Sequence, residues 1–535
     1  MTKPAAVKNR IRPRMTSLVL LMLFISAVAL LSIVPPRPGR AAQQSTPYTE
    51  PRWMAKLRAR QAAISTTSTT SSSGASVLDN VDVSNEPGPQ SETMVTLNTL
   101  NPKILAAGSN EIFRNPQRTY FSTNGGTSWV GADQPLTDEE GTTWTFASDP
   151  GVAIDTQGTI FFSQLLVMVQ RNITGDAMIV NRTTDGGASF SPGVILKKDL
   201  SSGLGGPFPF GRFEDKPFIT TDTNLNSPFR DNVYVSWDTT QGNGTSKIQF
   251  ARSTDHGVTF AVHRIDDPNA GRGASEIGAD PAVGPNGEVY DAWLDITNAR
   301  LRIDRSFDGG VTFGQDSTIT PMIIRFDTGI PAIKVRRALV YPSIDIDRSN
   351  GPHRGRVYCA WTDQADQSSP FVDGAETDIF FAFSDNAGLT WSTPIRVADD
   401  TIHADQFYQW LSVDPADGSV NISWYDTRND PARRKTDVFF ARSTDGGFSF
   451  SPNVRVTTAS TDESCPPCED LIAQTGFTSS TISFCRLNCS AEMLNQYGDY
   501  TGLVTFAGLS HPVWTDRRSG ERFNEEIFTA TLRAK

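Results

Sequence analysis

The sequence has few residues of the kinds that bind metals or nucleic acids. It holds five His and five Cys among 535 residues, and the histidines (His256, His263, His353, His403 and His511) show no metal-ligand spacing. Lys and Arg total 48 against 59 Asp and Glu, which gives a formal net charge of −11. Residues 1–42 contain seven of these bases and no acid, so the remainder is more acidic still. We therefore predict no nucleic-acid partner and no histidine metal site.

The N-terminus predicts export from the cytoplasm. Five bases among the first 14 residues precede an apolar run over residues 17–34. This order is typical of a signal peptide, and the run is also just long enough for a membrane anchor. A cleaved signal and an uncleaved transmembrane anchor over residues 1–42 are both open, and a Ser/Thr-rich linker follows over residues 43–79. Either case places the rest of the chain outside the cytoplasm.

Four of the five cysteines lie in one segment. Cys465 and Cys468 form a C-x2-C pair, and Cys485 and Cys489 form a C-x3-C pair. In a reducing compartment such spacing would indicate zinc, whereas in an exported chain it favours two disulfides with three possible pairings. The disulfides would close an insertion at about residues 460–495. The fifth cysteine, Cys359, is predicted to pack inside a strand.

One short phrase recurs along the chain. It reads S-T-D-G-G-F-S-F at residues 443–450, S-F-D-G-G-V-T-F at 306–313 and S-T-D-H-G-V-T-F at 253–260. Looser copies occupy residues 122–129, 183–190 and 384–391. The Asp or Asn accepts backbone N–H groups within the turn, the Gly adopts positive φ, and the last aromatic residue is an apolar anchor. Each copy therefore predicts a hairpin turn, and six copies predict a repeat architecture.

A second repeat precedes each turn phrase. It consists of two short alternating strands joined by a Gly/Asn/Asp turn, and the second strand often ends in Trp-x-Asp, as in residues 408–426 and 501–516. With a strand on each side of the turn phrase, each unit has four antiparallel strands, which is a propeller blade. The strand pairs number seven, with six blades as the alternative. We predict that residues 80–84 supply the last strand of the seventh blade from the N-terminal end.

The turn phrase resembles the Asp-box, or BNR repeat, of the sialidase superfamily over about residues 80–535. The resemblance implies an all-β, Asp-box β-propeller. It also implies that the Asp or Asn of each phrase has a structural role, at Asn124, Asp185, Asp255, Asp308, Asn386 and Asp445. In that superfamily the working face is opposite these turns. Sialidases carry an Arg-Ile-Pro phrase, three arginines that clamp a carboxylate, a nucleophilic Tyr and an acidic Asp, but this sequence has no Arg-Ile-Pro.

Two functions are consistent with these patterns. The first is an extracytoplasmic binding module that recognises a glycan or a cell-surface protein, and the missing Arg-Ile-Pro favours it. The alternative is an exo-glycoside hydrolase of sialidase type, and it is favoured by the Arg and Tyr residues in units six, seven and one. Its candidate catalytic residues are Arg114, Arg428, Arg517, Tyr408, Tyr500, Asp426 and Asp516. The repetition of Trp-x-Asp from blade to blade favours a structural role for the aspartates.

We expect a monomer that needs no cofactor. Asp345, Asp347 and the segment at residues 414–418 have some likeness to calcium-binding loops but lack the EF-hand pattern. Turn chemistry explains these aspartates better, and calcium is the alternative.

Overall fold

The computed structural model describes residues 75–86, 89–170, 172–202, 213–240, 245–267, 275–464, 496–518 and 525–534, and the regular structure in these ranges consists of β-strands. The predicted signal or anchor and the four clustered cysteines, Cys465, Cys468, Cys485 and Cys489, lie outside the described residues. Within the described ranges, no helix is long and apolar enough to cross a membrane. Cys359 is a buried free cysteine on a strand, as its position predicts.

Seven antiparallel sheets make up the body of the fold, six of them built on four strands that follow one another in the chain and the seventh on the last three strands and the first. The chain begins with β1 (Ala75–Asp82). Blade 1 contains β2 (Gln90–Asn98), β3 (Asn101–Glu111), β4 (Arg118–Ser122) and β5 (Val130–Asp133). Blade 2 contains β6 (Phe146–Ile154), β7 (Ile160–Gln170), β8 (Ile173–Thr183) and β9 (Val194–Ser202). Blade 3 contains β10 (Phe213–Thr221), β11 (Val233–Thr240), β12 (Ser246–Ser253) and β13 (Ala261–Arg264).

The remaining blades follow the same order. Blade 4 contains β14 (Glu276–Val283), β15 (Val289–Asp295), β16 (Arg300–Ser306) and β17 (Ser317–Pro321), and a small hairpin follows with β18 (Asp327–Thr328) and β19 (Ala338–Leu339). Blade 5 contains β20 (Pro342–Ile346), β21 (Val357–Gln364), β22 (Thr377–Ser384) and β23 (Ile395–Arg396). Blade 6 contains β24 (Gln406–Val413), β25 (Val420–Asp426), β26 (Lys435–Ser443) and β27 (Val454–Arg455), with β28 (Thr461–Asp462) also paired to β26. Blade 7 contains β29 (Gly502–Phe506), β30 (Leu509–Asp516) and β31 (Glu526–Ala534).

The sheets form a closed ring. The first strands of successive blades contact one another in the order β2, β6, β10, β14, β20, β24 and β29, and β29 returns to contact β2. The fourth strand of blade 7 is β1, which pairs antiparallel with β31. The fold is therefore a seven-bladed β-propeller closed by an N-terminal strand, so the prediction of seven blades is confirmed. The closing strand begins at Ala75 and ends at Asp82, so it covers an earlier segment than the predicted residues 80–84 and extends into the predicted linker.

Large aromatic side chains on the second strands fill the spaces between blades. Five tryptophans in these strands are fully buried: Trp237, Trp293, Trp361, Trp424 and Trp514. Alternating residues of a strand point to opposite faces of the sheet, and both faces of a propeller blade are covered by neighbours. The second strands of blades 3 to 6 are therefore buried at every residue, although they contain polar side chains as well as apolar ones.

All six turn phrases join the third and fourth strands of blades 1 to 6, as predicted. In blade 4, Asp308 Oδ1 accepts hydrogen bonds from the backbone N–H groups of Val311 and Thr312, at 3.0 and 2.8 Å. The Ser306 hydroxyl donates to the same oxygen, and the Thr312 hydroxyl donates to Oδ2. These bonds lower the pKa of Asp308 to about 2, although burial opposes them. We name the side of the propeller that carries these six turns the turn face, and the opposite side the loop face.

Candidate functional site

A β-bulge at the start of the first strand points polar side chains into the centre of the loop face. The pairing register shifts between Ser91 and Met94 in blade 1, and the same shift recurs in blades 2, 3, 4 and 6. The bulged residue has positive φ in each case, at Glu92, Asp149, Lys216, Gly278 and Tyr408. Because a bulge redirects its side chain out of the regular alternation, these strands can aim charged groups at the central axis.

The central cluster consists of Glu92, Asp149, Lys216, Arg336 and Asp499. Lys216 Nζ lies 2.7 Å from Asp499 Oδ2, 3.5 Å from Asp149 Oδ2 and 3.8 Å from Glu92 Oε1. The Arg336 guanidinium donates to Asp499 Oδ1 through Nε at 2.8 Å and to Glu92 Oε1 through Nη2. Each of these side chains is at most 2% exposed, so the ion pairs lie away from bulk water. Three carboxyl groups thus share two cations in a buried space.

Burial raises the pKa of Glu92 to about 8, and the carboxylates of Asp149 and Asp499 add to this increase while Lys216 and Arg336 oppose it. Burial therefore favours the protonated form of Glu92. A proton on Glu92 would offset the excess of three carboxyl groups over two cations in this cluster. A balanced cluster of this kind avoids the large cost of an unpaired buried charge.

Arg336 reaches the centre from the connection between blades 4 and 5. The hairpin of β18 and β19 carries it, and its backbone N–H donates to Gln496 Oε1 at 2.9 Å. The next residue, Arg337, has a φ of 72° and fixes the hairpin through ion pairs with Asp327 and Asp373, both at 2.8 Å. The connection therefore places its own cation in the central cluster, against Glu92 and Asp499.

Both predicted tyrosines lie beside this cluster. Tyr500 has its ring 5.5 Å from Lys216 Nζ, and its hydroxyl donates to the Pro150 carbonyl oxygen at 3.3 Å. The Tyr408 hydroxyl donates to the Arg337 carbonyl oxygen at 3.4 Å. Both side chains are buried, and burial raises the pKa of Tyr500 well above its usual value. A tyrosine with a raised pKa is harder to convert into a nucleophilic phenolate.

The three predicted arginines have separate sets of carboxylate partners. Arg114 is paired with Glu86 and Asp133 in blade 1 and is more than a third exposed. Arg428 is paired with Asp399, Asp400 and Asp426 and lies over the Phe439 ring at 4.3 Å. Arg517 lies 3.5 Å from Glu463. No carboxylate among these partners is shared, so the contacts described do not join the three guanidinium groups around one point.

The predicted aspartates Asp426 and Asp516 bind tryptophan and arginine side chains of their own blades. Trp424 Nε1 donates to Asp426 Oδ2 at 2.9 Å, and Trp514 Nε1 donates to Asp516 Oδ2 at 2.8 Å. Arg428 and Arg518 also donate to these two carboxylates. The contacts match the structural interpretation of the Trp-x-Asp motif.

Other aspartates of the repeats bind backbone groups of neighbouring segments. Asp280 Oδ2 accepts from the Ile344 N–H at 2.8 Å, which joins blade 4 to blade 5. Asp345 Oδ2 accepts from the Val413 N–H at 2.8 Å, and Asp414 accepts from the N–H groups of Ala507 and Gly508. Two of the four aspartates considered for calcium, Asp345 and Asp414, thus have oxygens that accept backbone N–H groups of the next blade.

Sequence reasoning missed Glu92, Lys216 and Arg336 as members of the centre. Glu92 and Lys216 lie at the bulge of a first strand, the same position that Asp149 occupies in blade 2. An alignment of the first strands with Asp149 was therefore the signal in the sequence that could have found them. Arg336 lies in an inter-blade connection that has no counterpart in the repeat, so no pattern in the chain indicates it.

No protein-family model matches the chain, and no curated protein matches it. Among solved structures, a protein of unknown function from Dyadobacter fermentans is 12% identical, with a TM-score of 0.45, over 86% of this chain and all of the other. The Hadza microbial sialidase is 14% identical, with a TM-score of 0.44, over 64% of this chain and 65% of the other. An α-L-arabinofuranosidase from Fusarium graminearum is 13% identical, with a TM-score of 0.42, over 69% of this chain and 98% of the other. Similarity at this level does not indicate a shared activity.

Proposed function

We propose that this chain is an extracytoplasmic binding propeller that recognises a glycan or a cell-surface protein through its loop face and performs no hydrolysis at its centre. One observation carries the proposal, namely that Arg336 fills the centre of the loop face and is paired there with Glu92 and Asp499. A substrate would have to displace this cation and leave buried carboxylates without it, which costs several kcal/mol. The basic and apolar N-terminal segment supports export.

A second candidate, an exo-glycoside hydrolase, is favoured by Glu92. Burial raises its pKa to about 8, which favours the protonated form at neutral pH, and the carboxyl groups of Asp149 and Asp499 lie around the same lysine. A protonated acid beside an ionised carboxylate is the combination that most glycoside hydrolases use. In this second candidate the hairpin of β18 and β19 moves away to admit the substrate.

The two functions are separated by incubating the purified full-length chain with a panel of sialosides and neutral glycosides. Free sugar and bound glycan are measured in parallel, with Glu92→Gln as the test variant and the exposed Glu140→Gln as the matched control. We expect no sugar release from any of the three proteins and the same ligand binding by all three. Sugar release that Glu92→Gln abolishes and Glu140→Gln preserves would establish the hydrolase instead.

A further inference from the structure

The sixth residue of the turn phrase is aromatic in blade 6 and non-aromatic in the other blades that carry the phrase. Phe448 occupies this position in blade 6, and blades 1 to 5 have, in this order, Thr127, Ala188, Val258, Val311 and Leu389. Phe448 is 62% exposed on the turn face. The turn itself does not require the ring, because five copies of the phrase form the same turn without one.

Three side chains of blade 5 hold the Phe448 ring in place. Phe383 in β22 packs edge-to-face against it, with ring centroids 5.0 Å apart and planes at 72°. His353, in the connection between β20 and β21, has its ring 6.3 Å away at 62°, and the guanidinium carbon of Arg356 lies 5.2 Å from the Phe448 centroid. All four residues lie within the continuously described range 275–464. The ring is therefore fixed by its contacts and still largely open to solvent.

An exposed carboxylate lies beside this ring. Arg356 donates through Nε to Asp385 Oδ1 at 2.8 Å and through Nη2 to Asp385 Oδ2 at 2.9 Å. Its Nη1 donates to the carbonyl oxygen of Gly446, in the same turn as Phe448, at 2.7 Å. The Arg356 side chain is 6% exposed, whereas the Asp385 side chain is 62% exposed. The accessible member of this ion pair is therefore the hydrogen-bond acceptor.

We infer that Phe448 and Asp385 form a binding site on the turn face for a neutral pyranose sugar. The C–H groups on one face of the sugar ring stack on Phe448, because the face of an aromatic ring is electron-rich and attracts the slightly positive C–H hydrogens. The sugar hydroxyl groups donate to the carboxylate of Asp385. This site is independent of the binding proposed above, since that function uses the loop face on the opposite side of the propeller.

The surroundings of the Phe448 ring favour a single neutral sugar as its occupant. The neighbouring turn residues Thr444, Asp445 and Ser449 are polar and exposed. A protein partner needs a far larger contact area than one ring, whereas one aromatic ring among polar groups matches the size and the chemistry of one sugar ring. An anionic sugar would face the exposed carboxylate of Asp385, while the guanidinium of Arg356 is buried and already paired. A sialoside is therefore disfavoured here.

The probe that tests this site is methyl β-D-glucopyranoside, whose ring presents axial C–H bonds on both faces. Its binding to the purified full-length chain is measured by saturation-transfer difference NMR. Phe448→Ala removes the ring, and Phe448→Trp keeps an aromatic face. Phe307→Ala is the matched control, because Phe307 is 64% exposed in the turn of blade 4. Asp385→Asn removes the charge of the acceptor, and its control is Asp417→Asn, at a 50% exposed carboxylate that is also paired with an arginine.

We expect saturable binding with a Kd of about 1–10 mM, which is usual for a ligand of this size. Phe448→Ala should weaken the binding about tenfold or more, and Asp385→Asn about threefold or more. Phe448→Trp should retain it, and neither Phe307→Ala nor Asp417→Asn should change it. If Phe448→Ala does not fold, the comparison of Asp385→Asn with Asp417→Asn decides the question.

Three results would overturn this site. The first is the absence of saturable binding up to about 50 mM glucoside, well above the expected Kd. The second is an equal loss of binding in Phe448→Ala and Phe307→Ala, or in Asp385→Asn and Asp417→Asn. The third is equal or tighter binding of cyclohexanol or of the anionic methyl sialoside, since the ring would then be an apolar contact without sugar recognition, or the ligand would be an anion.

Discussion

The Trp-x-Asp motif couples three side chains of one blade through a single carboxylate. Asp516 accepts from Trp514 at 2.8 Å and from Arg518, and its side chain is fully buried. Asp516→Ala leaves the guanidinium of Arg518 and the indole N–H without this acceptor, so we expect a loss of about 3–5 kcal/mol in the free energy of unfolding. Urea unfolding measures it, and Asp79→Ala, at an exposed carboxylate, is the control with a loss under about 1 kcal/mol. An unchanged stability for Asp516→Ala would contradict a structural role.

Lys216 is the shared cation of the central cluster. Lys216→Met removes a positive charge that lies 2.7 Å from Asp499 and 3.5 Å from Asp149, and it leaves the carboxylates with Arg336 alone. We expect this variant to lose about 3–5 kcal/mol at pH 8 and less at pH 5, where protonation of Glu92 reduces the repulsion among the carboxyl groups. Lys197→Met removes a partly exposed cation and should change stability by less than about 1 kcal/mol at both pH values. A loss independent of pH would show that packing, and not charge, determines the effect.

Among the elements, the turn phrase is stabilised almost entirely by its own side chains. Asp308 accepts two backbone N–H groups and two hydroxyl groups within seven residues of sequence, from Ser306 to Thr312. Its role is similar to that of a helix N-cap, so we expect Asp308→Ala to cost about 1–2 kcal/mol. Thermal unfolding checks this, with the exposed Asp79→Ala as the control that should not change the melting temperature. An equal melting temperature for both variants would contradict the prediction.

The closing strand β1 and the hairpin of β18 and β19 differ in how far the sequence predicts them. The seventh blade has three strands at the C-terminal end and needs a fourth strand from elsewhere in the chain. This need identified the N-terminal segment in the sequence, although not its bounds. The hairpin has two-residue strands and no repeat, and it is ordered by distant contacts such as Arg336 with Glu92, which are 244 residues apart. Local patterns therefore predict the first element and not the second.

For the whole molecule, the sequence predicts the blades but does not predict which residues form the central cluster. The turn phrases and the Trp strands depend on neighbours within a few residues, so their chemistry is visible in the chain. The centre depends on which bulged residue of each first strand faces the axis, and on a residue inserted from an inter-blade connection. The sequence places Arg428 and Arg517 in adjacent blades, as if they could bind one ligand together. In the structure each is paired with a different carboxylate, Asp426 for Arg428 and Glu463 for Arg517. Such ion-pair partners depend on which distant segments the closed ring brings together, and local sequence patterns do not show this.

Buried carboxyl groups determine how the stability of the propeller depends on pH. Burial raises the pKa of Glu214 to about 7, of Glu92 and Asp280 to about 8, and of Glu276 to about 9. In the unfolded chain these groups lose their protons near pH 4, so between about pH 4 and 9 the folded state holds more protons. Their contribution to stability is therefore complete below about pH 4, falls progressively as the pH rises, and is lost once the pH has passed the folded-state pKa values of about 7 to 9. The turn aspartates act in the opposite sense, because the pKa of Asp308 is about 2 and its contribution is lost only as the pH falls from about 4 towards 2.

We expect the free energy of unfolding to be higher at pH 5 than at pH 7, and lowest at pH 9. Urea unfolding of the full-length chain at these three pH values measures it. Glu92→Gln and Asp280→Asn keep the shape of the side chains and remove one titrating proton each, so either variant should reduce the decrease between pH 5 and pH 9. The exposed Glu140→Gln should leave it unchanged. A free energy of unfolding that is constant or rises from pH 5 to pH 9 would show that these carboxyl groups are ionised in the folded protein. The charge of Glu92 would then be neutralised by the cations of the central cluster and not by a proton.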